Sequence, residues 1–207
     1  MAYFPLFIDI QGKKCLVAGG GKVACRKVRT LLSYGADVRL AALSMEEELT
    51  SMLEEDCRRI GLLGQEDLEG AILVVAATGD REENHRIAVL CHDCHIPVNV
   101  VDCPAECTFF FPAVVKRGDV SIGINTGGNS PGLSRHIRRL IEREIPFFYG
   151  DLARGIGQIR DRLKVRIHDE KKRRKLLRQI LDNAVSQKRI PTPEEVDALA
   201  GEDEQGE

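Results

Sequence analysis

Three stretches of the sequence hold residue types that chemistry needs. "VNVVDCP" (98–104) ends an apolar run on a carboxylate, Asp102, followed by a thiol and a proline. "GGGKVA" (19–24) puts glycines where a chain turns sharply and approaches a ligand. "CHDCHIPVNVVDCPAEC" gathers Cys91, Cys94, Cys103 and Cys107 with His92 and His95. A carboxylate at the end of a buried strand suits a general base, or a group that balances developing positive charge. Asp and Pro also favour turns, so a plain turn residue accounts for the same pattern.

The elements around these stretches decide what they can reach. "KKCLVAGGGKVACRKVRTLLSYGADVRLAA" reads as a strand at 14–18, a glycine turn, a helix at 22–34 and a second strand at 38–42. Val23, Val28, Leu31 and Leu32 recur at helical spacing, and Gly35 closes the helix. This is a βαβ unit carrying G-x-G-x-x-A, a variant of the dinucleotide fingerprint. Gly19 permits the tight turn, Gly21 lets backbone approach a pyrophosphate, and Ala24 packs against the sheet. The pyrophosphate then sits at the helix N-terminus, where free amides and the helix dipole favour an anion. The fingerprint also expects an acid at the end of the second strand, and this chain has "VRLAALS" there. The ribose is then held by backbone and Ser44, or the cofactor differs. Arg39 would suit a 2′-phosphate, but it lies inside the strand, so physics leaves NAD and NADP both open.

Further along, Ser44 and Glu47 form a capping-box pattern before a helix, and "CRRIGLL" is a weak strand. "AILVVAAT" (71–78) is a strong buried strand, followed by a helix at 82–95 and the strand "IPVNVV". The turn after 71–78 places Thr78, Gly79 and Asp80 near the glycine turn, with Asp80 capping the next helix. Alternating strands and helices predict a Rossmann-like parallel sheet, and Asp102 ends one of its strands. Ligands of such sheets bind beyond the carboxyl ends of the strands, which brings the catalytic reading of Asp102 level with the turn reading.

After Asp102 the pattern changes. "FFFPAVVKRGDVSIGINTGG" predicts an antiparallel pair turning at "KRGD". "SPGLSRHIRRLIEREI" predicts a helix with Ser130 as N-cap and Pro131 at its first position. Residues 147–187 predict two helices breaking near His168–Asp169. The expected organisation is α/β: a nucleotide-binding domain at 1–112, a small α+β dimerisation segment at 113–146 and a helical substrate-side domain at 147–187. A polar tail without structure is expected at 188–207.

Composition narrows the class. The chain has 207 residues, 43% hydrophobic and 30% charged, which fits a globular protein. No apolar run approaches the ~20 residues of a membrane span, and "MAYFPLFIDIQGKK" lacks the pattern of a signal peptide, so a cytoplasmic protein is expected. Seven cysteines, an odd number, argue against a disulfide framework. The paired spacing in 91–107 fits a metal site, yet Cys91 and Cys94 fall three apart on a helix, as core residues would; no metal is assigned.

Three segments in order, "YFPLFIDIQGKKCLVAGGGKVACRKVRTLL", "VNVVDCPAECTFFFPAVVKRGDVSIGINTGGNSPGLSRHIR" and the basic helical end, resemble precorrin-2 dehydrogenase. That family is the stand-alone form of the dehydrogenase/ferrochelatase module of siroheme synthase. The resemblance covers roughly residues 3–187, and the family's second, methyltransferase module has no counterpart in this sequence. It implies NAD-dependent oxidation of precorrin-2 to sirohydrochlorin, in many members also insertion of Fe(II) as a co-substrate, and a strand-exchanging homodimer. It maps the catalytic aspartate onto Asp102 and cofactor contacts onto Lys22, Val23, Leu43 and Ser44. The family lacks the second-strand acid and uses NAD, which makes NAD the expected cofactor.

The implied substrate is a polycarboxylate tetrapyrrole, and it needs cations. Arg135, His136, Arg138, Arg139 and Arg143 follow "GGNSP", and further basic residues run from Arg154 through "KKRRK" to Arg178. Arginine suits carboxylates because its planar fork bonds both oxygens. Arg135 and Arg138 are the candidate substrate contacts, with the free amides of the helix start at Ser130. Most such charges are ordinarily a solvated helix face. A nucleic-acid partner is not expected, since aromatics are few and no zinc-finger or helix-turn-helix pattern is present. A membrane partner is not expected either. A non-catalytic NAD-binding regulatory module shares the glycine turn but leaves "NVVDCP" and "TGGNSP" unexplained.

Overall fold

The computed structural model describes residues 3–204. The chain divides into two compact units, Leu6–Phe111 and the part from Pro112 on, the latter with the first five residues.

The first unit is a parallel sheet of five strands. β1 (Lys14–Ala18), β2 (Asp37–Ala42), β3 (Arg58–Ile60), β4 (Leu73–Ala76) and β5 (Val98–Val100) lie in the order β3-β2-β1-β4-β5. Side chains alternate across a strand, so a strand buried on both faces must be apolar throughout. In β1, Cys15 and Val17 pack with Val28 and Leu31 of α1 (Lys22–Leu32) and Leu49 of α2 (Glu47–Met52). Leu16 and Ala18 join Ile87, Ala88 and Cys91 of α3 (Arg81–Asp93) in a second cluster. α1 and α3 therefore cover opposite faces, and the strand order reverses between β1 and β4. That reversal opens the crevice in which such sheets bind ligands.

The helix expected from Ser44 starts later. Its N-cap is Glu46, without a side-chain cap, and its first residue is Glu47. The cause lies in the glycine turn: the Glu46 amide donates to the Gly20 carbonyl at 2.9 Å, so residues 44–46 are still crossing that turn.

The second unit opens with an antiparallel hairpin, β6 (Ala113–Arg117) and β7 (Val120–Ile124). α4 (Pro131–Glu144) follows, and Arg117 closes its C-terminus by donating to the carbonyls of Glu142 at 3.1 Å and Ile145 at 2.9 Å. α5 (Phe148–Arg166) and α6 (Glu170–Gln187) break at Ile167–Asp169, where the Asp169 carboxylate caps α6 through the Lys171 and Lys172 amides.

The unstructured tail expected at 188–207 is corrected over most of its length. α7 spans Pro193–Glu204. Val196 is fully buried and Ala200 nearly so, in a cluster with Ile159, Leu163, Leu176 and Ile180. Asp197 pairs with Arg162 and with Arg166, both at 2.5 Å, and Glu195 pairs with Arg189 at 2.7 Å. The acidic end is thus the electrostatic complement of the basic helices. Its apolar stripe of Val196, Leu199 and Ala200 is short enough to be lost in a polar average. Residues 205–207 of that expected tail lie outside the described residues.

Candidate active site

The register of the sheet sets the site. Ala18 pairs with Ala41 on one side and Ala76 on the other, and Ala76 pairs with Val100. The segments that follow these four residues therefore leave the sheet along one line. They are Gly19–Lys22, Leu43–Ser44, Thr78 and Val101–Asp102. The structure brings the candidate residues of the first unit to the carboxyl ends of these strands, save Val23, which lies one residue further on in α1.

The three glycines meet three different demands. Gly19 has φ +114°, in the left-handed region, and a Cβ there would collide with the Ala77 carbonyl. A Cβ on Gly20 would collide with the Ser44 carbonyl, a constraint the fingerprint pattern passes over because Gly20 is its variable position. Gly21 is the reverse case: a Cβ there meets nothing within 4 Å, so its surface is open to a ligand. Gly21 is also the N-cap of α1 and no side chain caps that helix, which leaves the first-turn amides free for an anion. Lys22 is exposed beside them, and Val23 is half-buried against the core. These features fit a dinucleotide pyrophosphate.

At the end of β2, Leu43 and Ser44 are both exposed, with no acid between them. Arg39 is held 3.0 Å from Asp37 of its own strand and 3.1 Å from the Asp56 carbonyl in the turn before β3. After β4, Thr78 is gripped by Asn84, whose Oδ1 accepts from the Thr78 amide at 3.0 Å and lies 2.7 Å from the Thr78 hydroxyl. The Asn84 amide donates back to the Thr78 carbonyl at 3.2 Å. Asn84 is a buried polar residue that the sequence reading missed. Its signal was available: it shares a helical face with Ile87, Ala88 and Cys91, where a polar residue needs a reason. Asp80 caps α3 through the Glu82 and Glu83 amides.

Asp102 is exposed with φ +60°, and among the described residues no hydrogen bond or ion pair engages its carboxylate. The Cys103 amide donates to the Val100 carbonyl at 3.4 Å, which closes a tight turn around Val101 and Asp102. Aspartate is among the few side chains that tolerate this backbone. Asp102 is thus a turn residue, and its turn lies at the strand-end line with the glycine turn.

The cysteine-rich stretch disperses. Cys91 is on the buried face of α3, Cys94 is exposed, and Cys107 bonds to Val100; among the described residues no group of three or more ligands is placed to hold a metal. Burial pushes the Cys91 thiol up to about 12. Lys27, also unremarked in the sequence, lies 3.8 Å from the centre of the Phe111 ring. Burial, the largest influence on it, lowers its pKa to about 8.

The candidate substrate contacts belong to the second unit. Ser130 is the N-cap of α4, its hydroxyl accepting from the Leu133 amide at 3.2 Å. Arg135 is exposed and donates to the Pro131 carbonyl at 3.3 Å, and Arg138 lies 3.6 Å from Glu142 one turn on. Arg135 thus stands toward solvent, whereas Arg138 already has a partner.

Comparisons with known proteins bear on the family and the fold. Residues 6–113 match the family model described as putative NAD(P)-binding, 117–144 the sirohaem biosynthesis protein central region, and 148–188 the sirohaem synthase dimerisation region. The siroheme synthase of Nitrosospira multiformis is 41% identical over 187 residues, covering 87% of this chain and 40% of that protein. That of Ectopseudomonas mendocina is 38% identical over 207 residues, covering 100% of this chain and 43% of that protein. The chain therefore spans about two fifths of the length of these curated relatives. A solved structure of SirC, precorrin-2 dehydrogenase, shares the fold at 23% identity and a TM-score of 0.72, covering 98% of this chain and 100% of that one. With its nucleotide-type crevice and a family model matching residues 6–113, the chain belongs to the putative NAD(P)-binding family, followed in order by the two sirohaem regions.

Proposed function

We propose that this chain oxidises precorrin-2 to sirohydrochlorin with NAD, in siroheme biosynthesis, as a cytoplasmic homodimer. The observation that carries the reading is the shared strand-end line of Asp102 and the glycine turn, in a chain with both sirohaem regions. In this reading Gly19 and Gly21 shape the turn, and the α1 amides with Lys22 and Val23 hold the pyrophosphate. Leu43 and Ser44 flank the ribose, and Thr78 borders the crevice. When bound, NAD supplies the hydride acceptor. Asp102 takes the proton released as the substrate loses a hydride, or balances the positive charge that precedes proton loss. The products are sirohydrochlorin, NADH and one proton equivalent, so electrons and protons balance.

Ser130, Arg135 and Arg138 serve the substrate carboxylates. Arg135 does so directly, and Arg138 by exchanging Glu142 for a carboxylate of the substrate. Dimer formation is supported by the second unit itself. β6 and β7 form a ladder of only two strands, and α4 has no fully buried residue, with Leu133 and Leu140 exposed. Two-stranded sheets need further packing to be stable. Among the described residues no helix is long and apolar enough to cross a membrane.

The test is anaerobic precorrin-2 with NAD, with and without Fe(II), followed by absorbance. Formation of NADH with loss of precorrin-2 is expected. NAD binding without turnover would overturn the reading in favour of a regulatory module. Further spectral change on adding Fe(II) would assign the chain iron insertion as well.

A further inference from the structure

β5 is an edge strand, and an edge strand leaves a row of backbone groups without partners. Residues 107–109 turn back along this edge and meet those groups with side chains and backbone, without forming another strand. Thr108 serves Val98: its hydroxyl accepts from the Val98 amide at 2.7 Å, and its own amide donates to the Val98 carbonyl at 2.9 Å. Cys107 serves Val100. The thiol sulfur accepts from the Val100 amide at 3.1 Å, and the sulfur lies 3.2 Å from the Val100 carbonyl and 3.4 Å from the Cys103 carbonyl. Asn99, buried in the same strand, donates to that sulfur at 3.6 Å and to the Phe109 carbonyl at 3.1 Å.

Val100 and Cys103 are the two ends of the turn that holds Asp102 at φ +60°. One thiol therefore grips both ends of the segment carrying the carboxylate. It can do so only as a protonated thiol, which accepts and donates at once; a thiolate has no hydrogen to give. Burial raises the Cys107 pKa and keeps it in that form. A side chain turned toward solvent without partners, as Asp102 is, depends on its backbone for aim.

We propose that Cys107 is a positioning residue for Asp102, its thiol clasping Val100 and Cys103 so that the carboxylate keeps its direction. This rests on the function proposed above. The thiol takes no part in hydride or proton transfer.

The test uses the full chain as wild type, Cys107→Ala, Cys107→Ser, Asp102→Ala and the double variant Asp102→Ala with Cys107→Ala. Cys107→Ala is expected to lower kcat by about 10- to 100-fold, the scale of a small misplacement of a reacting group, with KM for NAD within about twofold. Cys107→Ser, which keeps a donor and an acceptor, is expected to restore most of the loss. On the Asp102→Ala background, Cys107→Ala is expected to cost nothing further, since the two residues act as one unit. Amide hydrogen exchange at Val100 and Cys103 reads the clasp without turnover and should quicken at least ~10-fold in Cys107→Ala but not in Cys107→Ser. Unchanged exchange, a wild-type kcat in Cys107→Ala, or an independent loss on the Asp102→Ala background would each overturn the proposal. A wild-type chain that binds NAD but does not oxidise precorrin-2 would overturn the proposed function, and the role of Cys107 with it, even where exchange responds. Should Cys107→Ala not fold, Cys107→Val, close in volume and without a hydrogen-bonding group, carries the same expectations.

Discussion

Gly20 and Ser44 are so closely apposed that the turn after β1 and the turn after β2 leave no room for a single methyl group between them. Two substitutions one residue apart should therefore fail differently. Gly20→Ala forces the two turns apart and is expected to cost about 1–3 kcal/mol, read by chemical denaturation. Gly21→Asp has space for its Cβ and should leave stability nearly unchanged. It puts a negative charge where the pyrophosphate belongs and should weaken NAD binding at least ~10-fold by titration. Unchanged NAD affinity in that variant would undo the assignment of the turn.

Asp102→Asn keeps the shape and the backbone preference of the residue and removes the charge. It should lower kcat by about 10²–10⁴-fold, the usual contribution of a positioned acid or base, while NAD binding stays within about twofold. Asp102→Gly suits the left-handed backbone and should match that loss without loss of stability. Wild-type turnover in either would remove Asp102 from the mechanism.

The helix at the acidic end makes a separate prediction. Val196→Asp places a charge in the cluster formed with Leu163 and Ile180 and should cost about 3 kcal/mol or more in denaturation. Asp197→Asn breaks only partly exposed ion pairs with Arg162 and Arg166 and should cost about 1 kcal/mol or less. Equal effects would show that α7 is held by charge rather than by burial.

Lys27 gives a pH dependence with a definite sign. Its folded pKa is lowered to about 8 from 10.5, chiefly by burial. Between those values the unfolded chain binds the extra proton, so stability rises with pH from this group across the window. Below it, both states carry the charge and the folded state bears the cost of burying it. The stability of wild type relative to Lys27→Met should therefore increase from pH 8 toward pH 10.5, and a flat difference would place the ammonium in water.

Thiol reactivity separates the cysteines. Burial raises the Cys15 thiol to about 11 and the Cys91 thiol to about 12, whereas Cys94 is exposed. Iodoacetamide should label Cys94 in the native protein and reach Cys15 and Cys91 only on unfolding. Early labelling of Cys91, read by peptide mass mapping, would contradict its place on the buried face of α3.

The alternation of apolar strands with helices, the glycine turn and the caps at Asp80 and Ser130 depend on neighbours a few residues away. Such features survive as pattern, and they were legible in the sequence. Ser44 was misread for the opposite reason. As a local pattern it is a good cap, but the Gly20 carbonyl takes the Glu46 amide and delays the helix. α7 was missed because its burial depends on Val196 meeting helices that lie earlier in the chain.

By itself, then, the sequence determined the class of fold, the nucleotide turn and the candidacy of Asp102, because backbone preference and hydrophobic period are written locally. Only the folded structure decided that Gly20 is the tightest glycine, that the half-buried Cys107 bonds to Val100, and that Asp102 stands free on a left-handed turn. Each of these depends on backbone angles and close approaches set by the fold, from the 24-residue separation of Gly20 and Ser44 to the seven-residue separation of Val100 and Cys107, and no hydrophobic period or motif encodes them.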